Sequence, residues 1–310
     1  AGIGAFSSLT VTISMVADLS TPDTRGRSLM FLSLGNLVGA AAAFAFGGSL
    51  LGYFTHAAPL ITGLEPWRNV LLVFSGVSLA LTLLLLTIRE PARQEITEAN
   101  PALSVALREL WERRGLLAPL FIGQVTVVMA DAAASIWAAP ILERHYNLTP
   151  EQYGPWMALV LLGSGLIGAV FGGFAADLGH KSKIKGGILL GAVIAAVLSI
   201  PGAFFSVMPD ATTFAWLLLV LLTCGAVTGL VTAAAIAVLV PNEIRGVCLG
   251  AFIVIGAIIG FGVAPTLVTL IADMLGGEGS LRLALAITGA GTSTLAAIGF
   301  ISAMLRARKA

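Results

Sequence analysis

Nine apolar tracts of about bilayer length constrain this chain more than anything else in it: residues 1–17, 28–54, 70–88, 116–142, 153–176, 184–207, 212–240, 247–271 and 281–305. A helix needs about 20 apolar residues to cross a hydrocarbon core of roughly 30 Å. The tracts are apolar all round, whereas a membrane strand alternates apolar and polar residues over about ten positions, so they read as helices rather than barrel strands. Hydrophobic residues make up 57% of the chain, charged residues 11%, and the mean hydropathy is +0.98. Soluble domains carry about 25% charged residues, so lipid is the solvent this composition fits. A net charge of +1 without a clustered basic face excludes nucleic acid as a partner.

Polar punctuation separates the tracts. At Thr149-Pro150-Glu151-Gln152 a capping Thr, a Pro at the first helical position and a Gln at the third predict a helix start. Turn chemistry recurs at Pro22-Asp23, Pro209-Asp210 and Pro241-Asn242. Of the 17 Lys and Arg residues, all except Arg68, Arg144 and Arg282 fall in one set of alternate connections and the tail. Basic residues are retained in cytoplasmic loops, which places the C-terminus in the cytoplasm and the first residues outside. An odd number of spans with an external, leaderless start at Ala1-Gly2-Ile3-Gly4 predicts that the sequence is a truncated part of a longer chain.

The longest connection, 89–115, is rich in charge and separates three spans from six. Within it Leu103, Leu107, Leu110 and Trp111 share one helical face, as in a helix lying on the cytoplasmic surface, either solvated or lipid-bound. An internal repeat crosses this linker: Arg25-Gly26 precedes Gly35 and Gly39, and Arg245-Gly246 precedes Gly256 and Gly260. These glycine pairs, with Gly168 and Gly172, are expected to let helix backbones approach closely.

Asp131 is the candidate for chemistry. It lies fifteen positions beyond Leu116, about 22 Å along a helix and so at hydrocarbon depth. A carboxylate there costs roughly 2.5 to 3.5 kcal/mol on insertion scales. Such a group holds and releases a proton, or bonds a neighbouring helix for structure. Gln124 and Ser135 share its helical face, which is expected to front a polar cavity. A weaker stripe, Cys224, Thr228 and Thr232, runs along the seventh tract; hydroxyls often bond back to their own helix, so lining and packing both remain open. Asn36, three residues after Ser33, needs partners from a cavity or from a helix contact. Trp137 lines an outer mouth or anchors at the interface, and Pro119 and Pro265 mark kinks. Cys224 and Cys248 lack zinc or redox spacing and read as packing residues.

Several motifs resemble the major facilitator superfamily. They are Gly2-Ile3-Gly4, Ala17-Asp18, Arg25-Gly26-Arg27, Trp67-Arg68, and the loop-like run Gly173-Phe174-Ala175-Ala176-Asp177-Leu178-Gly179-His180-Lys181. Within that family, Pro241-Asn242-Glu243-Ile244-Arg245-Gly246, Gly260-Phe261-Gly262-Val263-Ala264-Pro265-Thr266, Asp273 and Leu281-Arg282-Leu283-Ala284-Leu285 look most like the spinster-like branch. Where that branch has an acid after its first Gly-x-Gly, this chain has Ala5.

The resemblance implies an all-α polytopic membrane helix bundle of the major facilitator fold, with nine of twelve transmembrane helices present, the family's helices four to twelve. Residues 1–88 would be the rest of the N-terminal six-helix half, 89–115 the central cytoplasmic linker, and 116–310 the C-terminal half. It also implies gating latches at Asp18, Arg25, Asp177, Glu243 and Arg245, for which topology retention and helix capping are the plainer alternative.

Three functions follow as expectations. The first is a secondary transporter, symporter or antiporter, that moves a small organic or amphipathic solute by alternating access. Its substrate or proton pathway would include Asp131, Gln124, Ser135, Asn36, Thr228 and Thr232, with protons as a possible partner and no cofactor or metal. The second is an intramembrane enzyme, which needs a nucleophile with a base, a metal cluster or paired acids in the membrane; His56, His145 and His180 all lie in predicted loops, and no second acid accompanies Asp131. The third is a receptor or scaffold that transports nothing. The expected location is an integral membrane site, the bacterial inner membrane.

Overall fold

A computed structural model describes residues 15, 25–57, 60–61, 63–87, 103–182, 184 and 186–308. Lipid cannot hydrogen-bond a backbone, so apolar tracts must satisfy their own amides, and helices do this within one segment. The described chain is accordingly helical: α1 Arg25–His56, α2 Pro66–Leu85, α3 Leu103–Glu112, α4 Arg114–Arg144, α5 Pro150–Lys181, α6 Leu190–Gly202, α7 Ala211–Leu239, α8 Asn242–Ala257, α9 Ala264–Met274 and α10 Leu281–Ala307. Among the described residues eight stretches are long and apolar enough to cross a membrane. The expected ninth, over 1–17, lies outside the described residues apart from Met15. The fold is an all-α polytopic membrane helix bundle.

The helix starts show why the sequence cuts fell where they did. α5 begins at Pro150, as the Thr-Pro-Glu-Gln run predicts. α7 begins after Asp210, whose carboxylate accepts the Thr213 N–H at 2.9 Å and the Thr213 hydroxyl at 2.8 Å. Those bonds hold the Asp210 carboxyl below its usual range.

Several boundaries differ from the expected ones, and three of the differences have a visible cause or consequence. α2 starts at Pro66 rather than 70, because the turn before it is stitched by Asn69. That buried amide donates to the carbonyls of Leu64 (3.4 Å) and Glu65 (3.3 Å) and accepts the Ile61 N–H (3.3 Å). α5 runs on to Lys181, so Asp177 stands on an exposed helical turn rather than in a loop. The tract at 247–271, expected as one helix, is broken by a π-helical turn at Ile258–Val263 between α8 and α9. Gly260 lies in that turn, and a Cβ on it would stand 2.5 Å from Val128 Cγ1 of α4. The extra residue per turn thus sits where a second helix presses on the backbone.

The chain divides into two compact units. The first comprises Ala1–Ala99 and Pro150–Ala158, the second Asn100–Thr149 and Leu159–Ala310. In the first, α1 packs on α2 with Gly47 beneath the Phe74 ring. In the second, α4 and α10 are the most closely packed pair. A Cβ on Gly299 would come within 2.6 Å of the Gly123 nitrogen and 2.7 Å of its Cα, so these two backbones cross in direct contact. Around that crossing Leu120, Val127, Val231, Ile236, Phe300 and Ala303 form the core, with Cys224 and Cys248 buried in it as free thiols.

Two glycine pairs pack as expected: Gly168 and Gly172 face Ala226 and Leu230 of α7, and Gly256 and Gly260 face Val128. The third pair is Gly35 and Gly39. A Cβ at either would meet nothing within 4 Å among the described residues, so no packing role is visible there. The linker helix is present as α3, with Leu110 turned into the core and Leu107 and Trp111 exposed.

Candidate functional site

The site is built on α4, whose small residues bring α7 and α10 close. Ala130, Ala132, Ala133 and Ala134 are all buried, and in lipid such residues let neighbouring helices approach to backbone distance. Asp131 occupies the middle of this alanine run. Part of the residue is accessible, yet its Oδ1 is fully covered and has no hydrogen-bond partner among the described residues. The carboxylate lies against Gly225 of α7, where a Cβ would overlap Cγ and both oxygens. Glycine at 225 is what makes room for the acid.

One to two turns toward the α4 N-terminus a second polar contact joins the same helices. Gln124 and Thr232 are both buried, and the Thr232 hydroxyl donates to Gln124 Oε1 at 3.1 Å. Asp131, Gln124 and Thr232 therefore form a polar seam along α4 and α7. Thr228 lies on the buried face of α7 between them, with its hydroxyl donating to the Gly225 carbonyl at 2.8 Å. Ser135 is exposed, and its hydroxyl donates back to the Asp131 carbonyl at 2.7 Å. It continues the α4 face without joining the seam. Among the described residues the seam holds one carboxylate, beside the neutral polar groups of Gln124, Thr228 and Thr232.

Asp18 lies outside the described residues, and the side chains of Arg25, Asn36, Glu243 and Arg245 are likewise outside the description, although their backbones are helical. Trp137 is partly accessible and bonded to a neighbouring helix. Its indole N–H donates to the Pro265 carbonyl at 3.3 Å, tying α4 to the start of α9 just past the π turn. No group of three or more metal-ligating side chains occurs among the described residues.

Sequence reasoning missed two features. Ser293 Oγ of α10 is a second buried oxygen with no partner among the described residues, and a single Ser in an apolar tract gives no signal of that. The other is the set of bonds made by Arg282, which the sequence shows only as one of the sparse basic set and as part of the run Leu281–Leu285. Its guanidinium donates to the carbonyls of Ser206 (2.7 Å) and Met208 (2.6 Å), meets His145 Nε2, and stacks over Tyr146 at 5.6 Å. The Ser206 hydroxyl returns a bond to the Arg282 carbonyl at 2.8 Å. This staple joins the ends of α4 and α10 to the turn Ala203–Val207 that follows α6.

Hydrogen bonds to a charged donor contribute about 1.5–3 kcal/mol, so Arg282→Met is expected to lower unfolding free energy in detergent by about 2 kcal/mol. Desolvation, with the Arg282 charge second, holds the His145 imidazole below its usual range. The unfolded chain therefore takes up the proton first. Stability from this contact is complete above about pH 6.5 and is lost as pH falls through the folded-state value. A melting temperature that drops on acidification in the wild type, and drops less in His145→Gln, is the expected result.

The family model described as Major Facilitator Superfamily matches residues 1–265. No curated protein gives a significant match to the chain. Among solved structures, the fold is similar to a bacterial homologue of the human lysosomal transporter Spinster. Its inward-facing, unoccupied form aligns at a TM-score of 0.70 with 19% identity, over 96% of this chain and 74% of that one. Its inward-facing, occupied form aligns at 0.66 with 16% identity, over 96% and 71%. At these identities the likeness is one of fold.

Proposed function

This chain belongs to the Major Facilitator Superfamily, a family of secondary transporters that work by alternating access, and we propose that it moves a small organic or amphipathic solute with Asp131 as its coupling carboxylate. The family's work is transport, not catalysis. The observation that carries the proposal is the Asp131 carboxylate against Gly225, with an Oδ1 that is covered and has no partner among the described residues. A structural carboxylate at this depth would be bonded to its neighbour, because an unpaired buried acceptor costs about 1–3 kcal/mol. An oxygen left open is suited to an ion that comes and goes.

In this account Gln124, Thr228 and Thr232 contribute the rest of the seam, and Ser135 and Asn36 extend the pathway. Asp18, Arg25, Asp177, Glu243 and Arg245 act as gating latches. The spans are the family's helices four to twelve, nine of its twelve. Residues 1–88 belong to the N-terminal half, 89–115 to the cytoplasmic linker and 116–310 to the C-terminal half. The C-terminus lies in the cytoplasm of a bacterial inner membrane. The branch is the spinster-like one; the fold likeness and the motif at residues 260–266 support an amphipathic, lipid-like solute.

Proteoliposomes holding the full-length protein test the transport step. Saturable uptake of an amphipathic organic solute, absent from protein-free vesicles, is expected. Binding of such solutes without flux under any imposed gradient would favour the receptor or scaffold.

A further inference from the structure

A cavity of about 370 Å³ lies where α3 meets α4, away from the carboxylate seam. Arg113, Arg306 and Glu112 line its polar side, and Leu116, Leu117 and Leu239 its apolar side. Its position is fixed by three span ends: the start of Arg114–Arg144, the end of Ala211–Leu239 and the end of Glu278–Ala307. Alternating spans put all three at one membrane face, so the cavity sits at the boundary between hydrocarbon and water.

The charge there is cationic. Arg306, in the cavity lining, makes one hydrogen bond among the described residues, Nη1 to the Gly115 carbonyl at 2.6 Å, and a guanidinium has five N–H donors to offer. Arg113 reaches Glu109 only at 3.7 Å, with both side chains partly exposed. Glu112 pairs with Arg108, at 3.4 Å on the solvent side. The neighbouring surface is built for an interface as well. Trp111 is 68% exposed with Arg114 stacked over its ring at 5.3 Å, and Leu107 is exposed beside it. Trp paired with cations at a span end is the composition that settles at the headgroup level.

Two arginines over a leucine wall, at the depth of a headgroup, match one molecule better than any other: a phospholipid with net negative charge. A soluble phosphate would use the arginines and leave the leucines uncovered, and a neutral apolar solute would leave the arginines unpaired. We propose that this cavity binds an anionic phospholipid, its phosphate held by Arg113 and Arg306 and its acyl chain laid on Leu116, Leu117 and Leu239. The bound lipid would brace α3 against the ends of α4 and α10. The proposal does not depend on the role of Asp131.

The test is native mass spectrometry of the full-length protein released from micelles with equal amounts of phosphatidylglycerol and phosphatidylcholine. Preferential retention of phosphatidylglycerol is expected. Each basic residue near an anionic lipid is worth about a five-fold change in binding, so Arg113→Gln and Arg306→Gln should each lower the preference about five-fold. Glu112→Gln should raise it. Arg306→Lys, which keeps the charge, should retain most of the preference, and it serves where Arg306→Gln fails to fold. Equal retention of the two lipids in the wild type overturns the proposal. So does a preference unchanged in folded Arg113→Gln, or displacement of the lipid by millimolar glycerol 3-phosphate, which would identify a site for soluble phosphate.

Discussion

Replacing Asp131 with Asn is expected to abolish accumulation of solute driven by a pH gradient, while leaving solute exchange down its own gradient in place. Asn keeps the size and the polarity of the acid but has no proton to exchange. Asp131 Oδ1 is covered and unpartnered among the described residues, so no fixed hydrogen bond to that oxygen is lost with the substitution. Removing a carboxylate from hydrocarbon depth also removes an insertion cost of roughly 2.5 to 3.5 kcal/mol, so the variant should unfold at the same temperature as the wild type or above it. Loss of accumulation with retained exchange and retained stability separates a coupling group from a structural one. Equal accumulation in both proteins, at every imposed gradient, would remove the coupling role.

The second large effect is structural. Gly299→Val should be the most damaging of the simple substitutions in α10, because the new side chain would enter the backbone of α4. The nearest atoms are the Gly123 nitrogen at 2.6 Å, its Cα at 2.7 Å and the Pro119 carbonyl oxygen at 2.9 Å, none of which can rotate away. Overpacking of this kind costs about 1–3 kcal/mol where side chains yield, and more where only backbone is available. Thermal unfolding in detergent should fall by several degrees or give no folded protein. The matched control is Gly291→Val in the same helix, where a Cβ meets nothing within 4 Å among the described residues. If the two variants unfold alike, the α4–α10 crossing is not as close as described.

The contrast between these two residues shows what was and was not legible in the sequence. Helix type, approximate spans and the start at Pro150 follow from tract length and local capping chemistry, which are properties of neighbouring residues. Asp131 was legible for the same reason, as an acid in the middle of an apolar run. What the sequence could not show depends on residues far apart in the chain. The π turn at Ile258–Val263 answers to Val128 and lies just before the carbonyl held by Trp137. Gly225 matters because Asp131 lies against it, and Gly123 because Gly299 crosses it. The run Leu281–Leu285 does not reveal the four partners of Arg282, which come from the end of α4 and from the 3₁₀ turn that follows α6. At Gly35 and Gly39 the four-residue interval is present, and no described atom stands against it.

The seam between α4 and α7 also assigns roles within the site. Thr232→Val would leave Gln124 Oε1 buried without its donor, which costs about 1–3 kcal/mol and should shift solute affinity more than coupling. Gly225→Ala would press a methyl group into the Asp131 carboxylate and should impair coupling without touching the acid itself. Together with Asp131→Asn these variants separate the carboxylate from its surroundings.

The most direct measurement is of protons moved by solute. Proteoliposomes with a trapped pH indicator, and no pH gradient imposed, are given a solute gradient, and the internal pH is followed. The account predicts a solute-dependent pH change in the wild type and none in Asp131→Asn, although solute enters both. Solute entry in the wild type with no pH change, or an equal pH change in the variant, would contradict it.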